Sequence, residues 1–335
     1  MLRDNSKKTM IIKKVEKNIK EYNLIESDDK VLVAVSGGSD SMCLLYSLIE
    51  LSNKLNFKIE VAHVHHMLRK ESDAEAEYVR KFCDKFDIKC HVGKFDINKI
   101  SKETKEGTEA TARKVRYKFF KEISEKNNID KVAIAHNIND NVETILMHFI
   151  RGTSLNGLTG IKYKNREIIR PLLNIKKEDI NLFCEECKID FAIDKTNNEM
   201  IYTRNKLRLD LIKKIEEYNI NFVAGVERMA STLTEEEDYL DETTEKLLKK
   251  VIISETDNDI IIDRKVLGEN HSALVKRVII KLIQKITNRV DNIESSHIID
   301  IKKIIINGVT GKKFIIDKKY IFENIDKHKA IIKKY

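Results

Sequence analysis

The run Val31-Leu32-Val33-Ala34-Val35-Ser36-Gly37-Gly38-Ser39-Asp40-Ser41 decides how this chain is read. Its first five residues are apolar, as in a strand buried on both faces, and they lead without a linker into Gly-Gly and then a helix start. Two glycines let the backbone turn tightly and aim several N–H groups at one point, and the helix N-terminus behind them adds partial positive charge. A bare Gly-Gly serves as well in a plain strand-to-helix connection. Here the Ser36, Ser39 and Ser41 hydroxyls and the Asp40 carboxylate point to a phosphate cradle. It is not a P-loop, which needs four residues between its glycines and a Lys before Ser/Thr. Gly308-Val309-Thr310-Gly311-Lys312 has only two residues between its glycines and reads as a hairpin turn.

On either side of this loop, β-rich apolar runs at 31–35, 59–64, 88–92 and 132–135 alternate with amphipathic stretches at 41–51, 72–86, 109–126 and 141–150. That alternation predicts an α/β fold, a doubly wound parallel sheet with helices on both faces. Beyond the single proline, Pro171, the apolar spacing becomes helical, with Leu207, Leu211 and Ile215 four apart. Strand-like runs at 260–262 and 314–316 follow. The expected organisation is a catalytic domain over 1–215 and a mainly helical domain over 216–335 with a short β element at its end.

A length of 335 residues favours two compact units over one. Lys plus Arg exceed Asp plus Glu by 62 to 54, a net charge of +8 that favours a polyanionic partner. Arg204, Lys206, Arg208, Lys213 and Lys214 form a cluster able to track a phosphate backbone, or equally a solvated helix face. Five cysteines with no repeating framework fit a reduced compartment. The first ten residues are polar and lysine-bearing, unlike a signal peptide, and no apolar run spans a bilayer, so a cytoplasmic location is expected.

Three further constellations follow strand ends, where an open α/β sheet places its ligand. The first is His63-Val64-His65-His66-Met67-Leu68-Arg69; strand alternation puts His63 and His65 on one face and His66 on the other, which disfavours a zinc site. The second is Gly107-Thr108-Glu109-Ala110-Thr111-Ala112-Arg113-Lys114-Val115-Arg116-Tyr117, where Glu109, Arg113 and Arg116 recur one helical turn apart. The third is Ala135-His136-Asn137-Ile138-Asn139-Asp140-Asn141-Val142-Glu143-Thr144, with Asp140 and Glu143 on one helix face. Acids in a first turn also stabilise the helix dipole without any ligand.

Ser-Gly-Gly-Ser-Asp-Ser resembles the PP-loop signature, and the three constellations resemble, in order, motifs of the lysidine synthetases within that superfamily. Arg151 to Gly160, Arg170-Pro171-Leu172-Leu173, Asp194-Lys195-Thr196-Asn197 and Arg204-Asn205-Lys206-Leu207-Arg208 extend the match to about residue 210. The resemblance implies ATP split between its α- and β-phosphates, with AMP transferred and pyrophosphate held by Ser36, Gly37, Gly38, Ser39, Asp40 and Ser41. It further implies Mg²⁺ on Asp40, nucleotide contacts from His63, His65 and His136, and Arg113 facing phosphate. Asp140 and Glu143 would receive free lysine, with either as base, and Arg204, Lys206 and Arg208 would meet tRNA. The implied reaction joins lysine to C2 of the wobble cytidine of an isoleucine tRNA bearing a CAU anticodon. A homodimer is left open as the assembly. Its rivals are a tRNA thiolase, suggested by Cys184-Glu185-Glu186-Cys187, a small-molecule amidating ligase, and a tRNA-binding protein without turnover. The cysteine pair lies in a helical stretch that can simply bury it.

Overall fold

The computed structural model describes residues 6–67, 72–192, 203–287, 295–316 and 319–334. Contacts divide the chain into Met1–Ser231 and Thr232–Tyr335, a division that falls inside a long helix rather than near residue 215.

The first unit opens with α1 (Lys7–Glu21), which the sequence reading leaves unassigned although Ile11, Val15 and Ile19 recur every four residues and all are buried. Next come β1 (Lys30–Ala34), α2 (Ser39–Leu55), β2 (Lys58–His65), α3 (Ser72–Asp84), β3 (Cys90–Lys94), α4 (Ile97–Thr104), α5 (Thr108–Asn127), β4 (Lys131–Ala133) and α6 (Ile138–Arg151). A short α7 (Leu155–Leu158), the pair β5 (Lys164–Asn165) and β6 (Ile168–Ile169), and α8 (Lys177–Glu186) complete the layer around the sheet. The sheet runs β3-β2-β1-β4-β6-β5. Its first five strands are parallel, and β5 closes the edge antiparallel to β6. Val33 sits opposite Val61 on one side and Ala133 on the other, which makes β1 a central strand.

Burial on both faces explains why β1 carries no polar alternation. Val31 and Val33 pack into the larger core with Ile11, Leu44, Leu48 and Phe183. Leu32 points the other way, against Phe120 and Ile123 of α5. The strand order places the ends of β1, β2 and β4 side by side, and the loop after β1 opens at that edge.

The unit continues through α9 (Thr203–Lys206), a five-residue π-helical segment at Leu207–Leu211, α10 (Ile212–Tyr218) and the start of α11 (Phe222–Val251). Ile212 and Val223 pack there against Ile138 and Val142 of α6.

The second unit comprises the rest of α11, β7 (Ile252–Glu255), β8 (Asp259–Asp263), α12 (Arg264–Gly268), α13 (Ser272–Thr287), α14 (Ser295–Asn307), β9 (Lys313–Ile316), β10 (Tyr320–Asn324) and β11 (Lys329–Lys334). Its five strands form an antiparallel sheet ordered β7-β8-β11-β10-β9, more strand than the short β element expected from sequence. Residues 308–312 are no hairpin: they join α14 to β9. Much of the positive charge on α13 is neutralised inside this unit, by Glu237 on Arg277 at 2.5 and 2.9 Å and by Asp241 and Glu245 on Lys281 at 2.8 Å. Among the described residues no helix is long and apolar enough to cross a membrane.

One buried polar contact holds the connection before α8 in place. Asn18 of α1 is 1% exposed and donates to the Pro171 carbonyl at 2.9 Å while exchanging amide contacts with Asn174 at 2.7 and 3.1 Å. Asn18→Leu keeps the branched shape but leaves these groups without partners, which is expected to destabilise the first unit by about 1–3 kcal/mol in urea denaturation. An unchanged midpoint would mean that water replaces the amide without loss.

Candidate functional site

Gly37 has φ +90°, a conformation that only glycine adopts without strain, and it turns the chain sharply out of β1. Its carbonyl accepts from the Ala192 N–H at 2.9 Å. The Ser41 hydroxyl closes the turn, accepting from the Ser36 N–H at 3.1 Å and donating to the Gly38 carbonyl at 2.9 Å. Asp40 lies in the first turn of α2, where its charge is stabilised by the helix dipole.

Asp40 is shared by two neighbours. Lys177 Nζ donates to Asp40 Oδ2 at 2.6 Å and to Ser39 Oγ at 2.8 Å, and Asn137 Nδ2 donates to Asp40 Oδ1 at 3.1 Å. Lys177, absent from the sequence reading, stands at the start of α8, four residues after the Arg-Pro-Leu-Leu segment. Its backbone N–H meets Asn139 Oδ1 at 3.2 Å. Phosphate loop, β4 end and α8 start are thus drawn onto one carboxylate.

Asn137 caps α6, accepting from the Asn139 and Asp140 N–H groups at 2.9 and 3.1 Å, and Asp140 Oδ2 returns a contact from the Asn137 N–H at 3.1 Å. Asp140 therefore caps the helix with one oxygen and turns the other to Arg208 NH2 at 3.4 Å. Glu143 is fully buried and bound by two arginines: Arg208 through 2.5 and 3.0 Å contacts, and Arg204 Nε at 3.3 Å. Burial raises the Glu143 pKa, and Arg208 opposes that rise. Both arginines proposed for RNA thus face inward onto the carboxylate pair, while Lys206 between them is exposed. The π-helical segment around Arg208 carried no signal in the sequence beyond ordinary helical spacing.

A cleft of about 380 Å³ opens at this edge, lined by Ser36, Gly38, Asp40, His63, His65, His66, Arg116 and His136 among others. His63 and His65 at the end of β2 and His66 just after it all reach the cleft, because the strand ends at His65 and alternation no longer governs His66. His63 Nδ1 meets the Val35 carbonyl at 2.9 Å, and His65 Nδ1 accepts from the Met67 N–H at 3.2 Å. Arg113 is exposed, with its guanidinium 4.9 Å from the Tyr117 ring centre, whereas Arg116 lines the cleft. Cys184 is buried in α8 and donates to the Ser39 carbonyl at 3.6 Å. Among the described residues no group of three or more His, Cys, Asp or Glu side chains is arranged to hold a metal. Leu68, Arg69 and the segment from Asp194 to Asn197 lie outside the described residues.

The family described as PP-loop domain matches residues 8–215. A tRNA(Ile)-lysidine synthase from Clostridioides difficile is 35% identical over 312 residues, covering 92% of this chain and 68% of that protein. The chain belongs to the PP-loop family, among the tRNA(Ile)-lysidine synthases. A second relative of that description, from Clostridium perfringens, is 42% identical over 307 residues, 91% of this chain. This PP-loop chain spans 65% of that relative's length. Among solved structures, the U34-tRNA thiolase of Methanococcus maripaludis superposes with a TM-score of 0.56 at 20% identity, over 68% of this chain and 79% of the thiolase. At that identity the likeness is one of fold.

Two cleft histidines give the site a pH signature. Burial, then Arg116, lowers the His66 pKa from 6.5 to about 4; burial, then Arg170 and Arg113, lowers His136 to about 3. Both folded values lie below the unfolded one, so the unfolded chain takes up protons that the folded chain refuses. Their stabilising contribution is complete above pH 6.5 and is lost as pH falls toward 4. Urea denaturation between pH 7 and pH 4.5 is expected to show stability falling, with a shallower slope in the His66→Gln/His136→Gln double variant. Equal slopes would assign the acid sensitivity to other groups.

Proposed function

We propose that this protein uses ATP to join free lysine to C2 of the wobble cytidine of an isoleucine tRNA with a CAU anticodon, working in the cytoplasm. The observation that carries the reading is the Asn137–Asp40 contact. It brings a PP-loop and a pair of helix carboxylates into one site, in a chain whose relatives at 42% and 35% identity are tRNA(Ile)-lysidine synthases.

The cytidine O2 attacks the α-phosphate, and the bond to pyrophosphate breaks with its electron pair passing to the leaving group. The N–H groups around Gly37 and Gly38 receive that diphosphate, because phosphate oxygens are acceptors that suit backbone donors. Asp40 suits Mg²⁺, a hard cation bound through one or two carboxylates plus substrate phosphates, which would offset charge on the departing diphosphate. Lys177 supplies a further positive charge at the same spot.

In the second step the lysine ε-amine attacks C2 and AMP departs. Asp140 and Glu143 receive the amine, and the raised pKa of buried Glu143 brings it nearer the range of a useful base. Since Arg208 already occupies these oxygens, the amine binds by competing with its guanidinium. A wobble base must be splayed from its loop to reach the cleft.

The test incubates protein, ATP, radiolabelled lysine and a CAU-bearing transcript, followed by digestion to nucleosides. A lysine-labelled cytidine derivative is expected, and Asp40→Ala should lower its yield by about 100-fold or more. Glu143→Gln is expected to slow lysine incorporation by about 100-fold while leaving pyrophosphate release within about tenfold of the unaltered protein. Labelled sulfur in the tRNA, or ATP consumption indifferent to RNA, would replace this reading with a thiolase or a small-molecule ligase.

A further inference from the structure

Behind the cleft lies a contact that the two steps above do not use. Arg170 is 7% exposed; its Nε donates to His136 Nδ1 at 3.0 Å and its NH1 to the Lys162 carbonyl at 2.7 Å. A guanidinium has donors and no acceptor, so His136 Nδ1 must offer its lone pair, and the single ring proton of the neutral imidazole must sit on Nε2. A second proton is disfavoured, since burial and the charges of Arg170, Arg113, Arg204 and Arg116 all oppose it. His136 lines the cleft, and the next residue, Asn137, touches Asp40 of the phosphate loop. With its Nδ1 edge taken, the group left for a ligand is a fixed, uncharged Nε2–H donor.

We propose that Arg170 is a positioning residue that locks His136 in the Nε2–H tautomer, so that His136 donates to a non-bridging oxygen of the α-phosphate during its transfer. The inference rests on the ATP reading above. A phosphoryl oxygen matches the donor because it only accepts, whereas a nucleobase edge carries donors beside its acceptors. The cationic surroundings draw an anion to the same place. His136 keeps its proton throughout: O2–P forms, P–O to pyrophosphate breaks, and the electron pair leaves with pyrophosphate. The same lock excludes His136 as the base for lysine, because Nδ1 is engaged and Nε2 already carries hydrogen.

The protein, labelled with ¹⁵N-histidine, tests this directly. At pH 7 its long-range ¹H–¹⁵N spectrum is expected to show His136 protonated on Nε2 only, with the Nε2–H resonance shifting when ATP is added. In turnover, Arg170→Met should lower the rate constant for pyrophosphate release by about 10–100-fold while ATP affinity changes by less than about threefold. Arg170→Lys, which keeps a donor, should recover most of that loss. His136→Gln, whose amide can reach the Nε2 position, should retain more activity than His136→Asn. The preference between the two diastereomers of ATP carrying sulfur on the α-phosphate should fall in both Arg170→Met and His136→Phe. A proton on Nδ1, an Nε2–H resonance indifferent to ATP, or Arg170→Met with unaltered turnover overturns the proposal. The spectra need no turnover, so a preparation that makes no modified nucleoside refutes the ligation reading while the ATP-induced shift still decides the role of Arg170.

Discussion

The Asp40 carboxylate is the point on which the first unit's active edge depends. One oxygen holds the Lys177 ammonium and the other the Asn137 amide, so three segments far apart in sequence are fixed by a single charge. Lys177 and Asp40 are about one third exposed, so the pair is worth little as a source of stability, on the order of 1 kcal/mol or less. Its significance is positional. A carboxylate beside the phosphate turn is already directed at the place where positive charge will be wanted, and it does not need to reorganise when a polyanion arrives.

Electrostatics divide the site into two compartments. Around Gly37 and His136, donors and cations gather beside Asp40: backbone N–H groups, Arg116, Arg170 and Lys177. Around Glu143 the arrangement is reversed, with two carboxylates saturated by two arginines. A buried carboxylate left without its arginines would cost several kcal/mol, so Glu143 needs a cationic partner in the folded chain. The first compartment suits a leaving diphosphate and the second suits an amine.

Much of the fold was legible because its signals are local. The run from Val31 to Ser41 displays strand, turn and helix start within eleven residues, and the strands at 31–35, 59–64, 88–92 and 132–135 all appear with ends shifted by only a few residues. The candidate site was half legible. Asp40, His136, Asp140 and Glu143 stand in motifs with a mechanism attached, and they do converge at one edge. Lys177 could not be found that way: a lysine opening a helix is ordinary in a sequence with 62 basic residues, and only the return of α8 to the loop gives it meaning. Arg113 and Arg116 are three residues apart, close enough for either to face the cleft, and the choice depends on how α5 rotates against Leu32. The inward turn of Arg204 and Arg208 likewise depends on burial of Glu143, which no short motif records.

The widened helical turn at Leu207–Leu211 also makes the spacing of the two arginines intolerant of a change in length. A π turn amounts to one inserted residue absorbed without breaking the helix, so the segments before and after it keep their own rotational frames. Losing a residue between the two arginines, Asn205, Lys206 or Leu207, would swing one by roughly 100° relative to the other, since each residue of an α-helix advances the direction by that amount. Arg204 and Arg208 could then no longer grip the same carboxylate, and a single-codon change in gene length could uncouple the pair without altering either side chain.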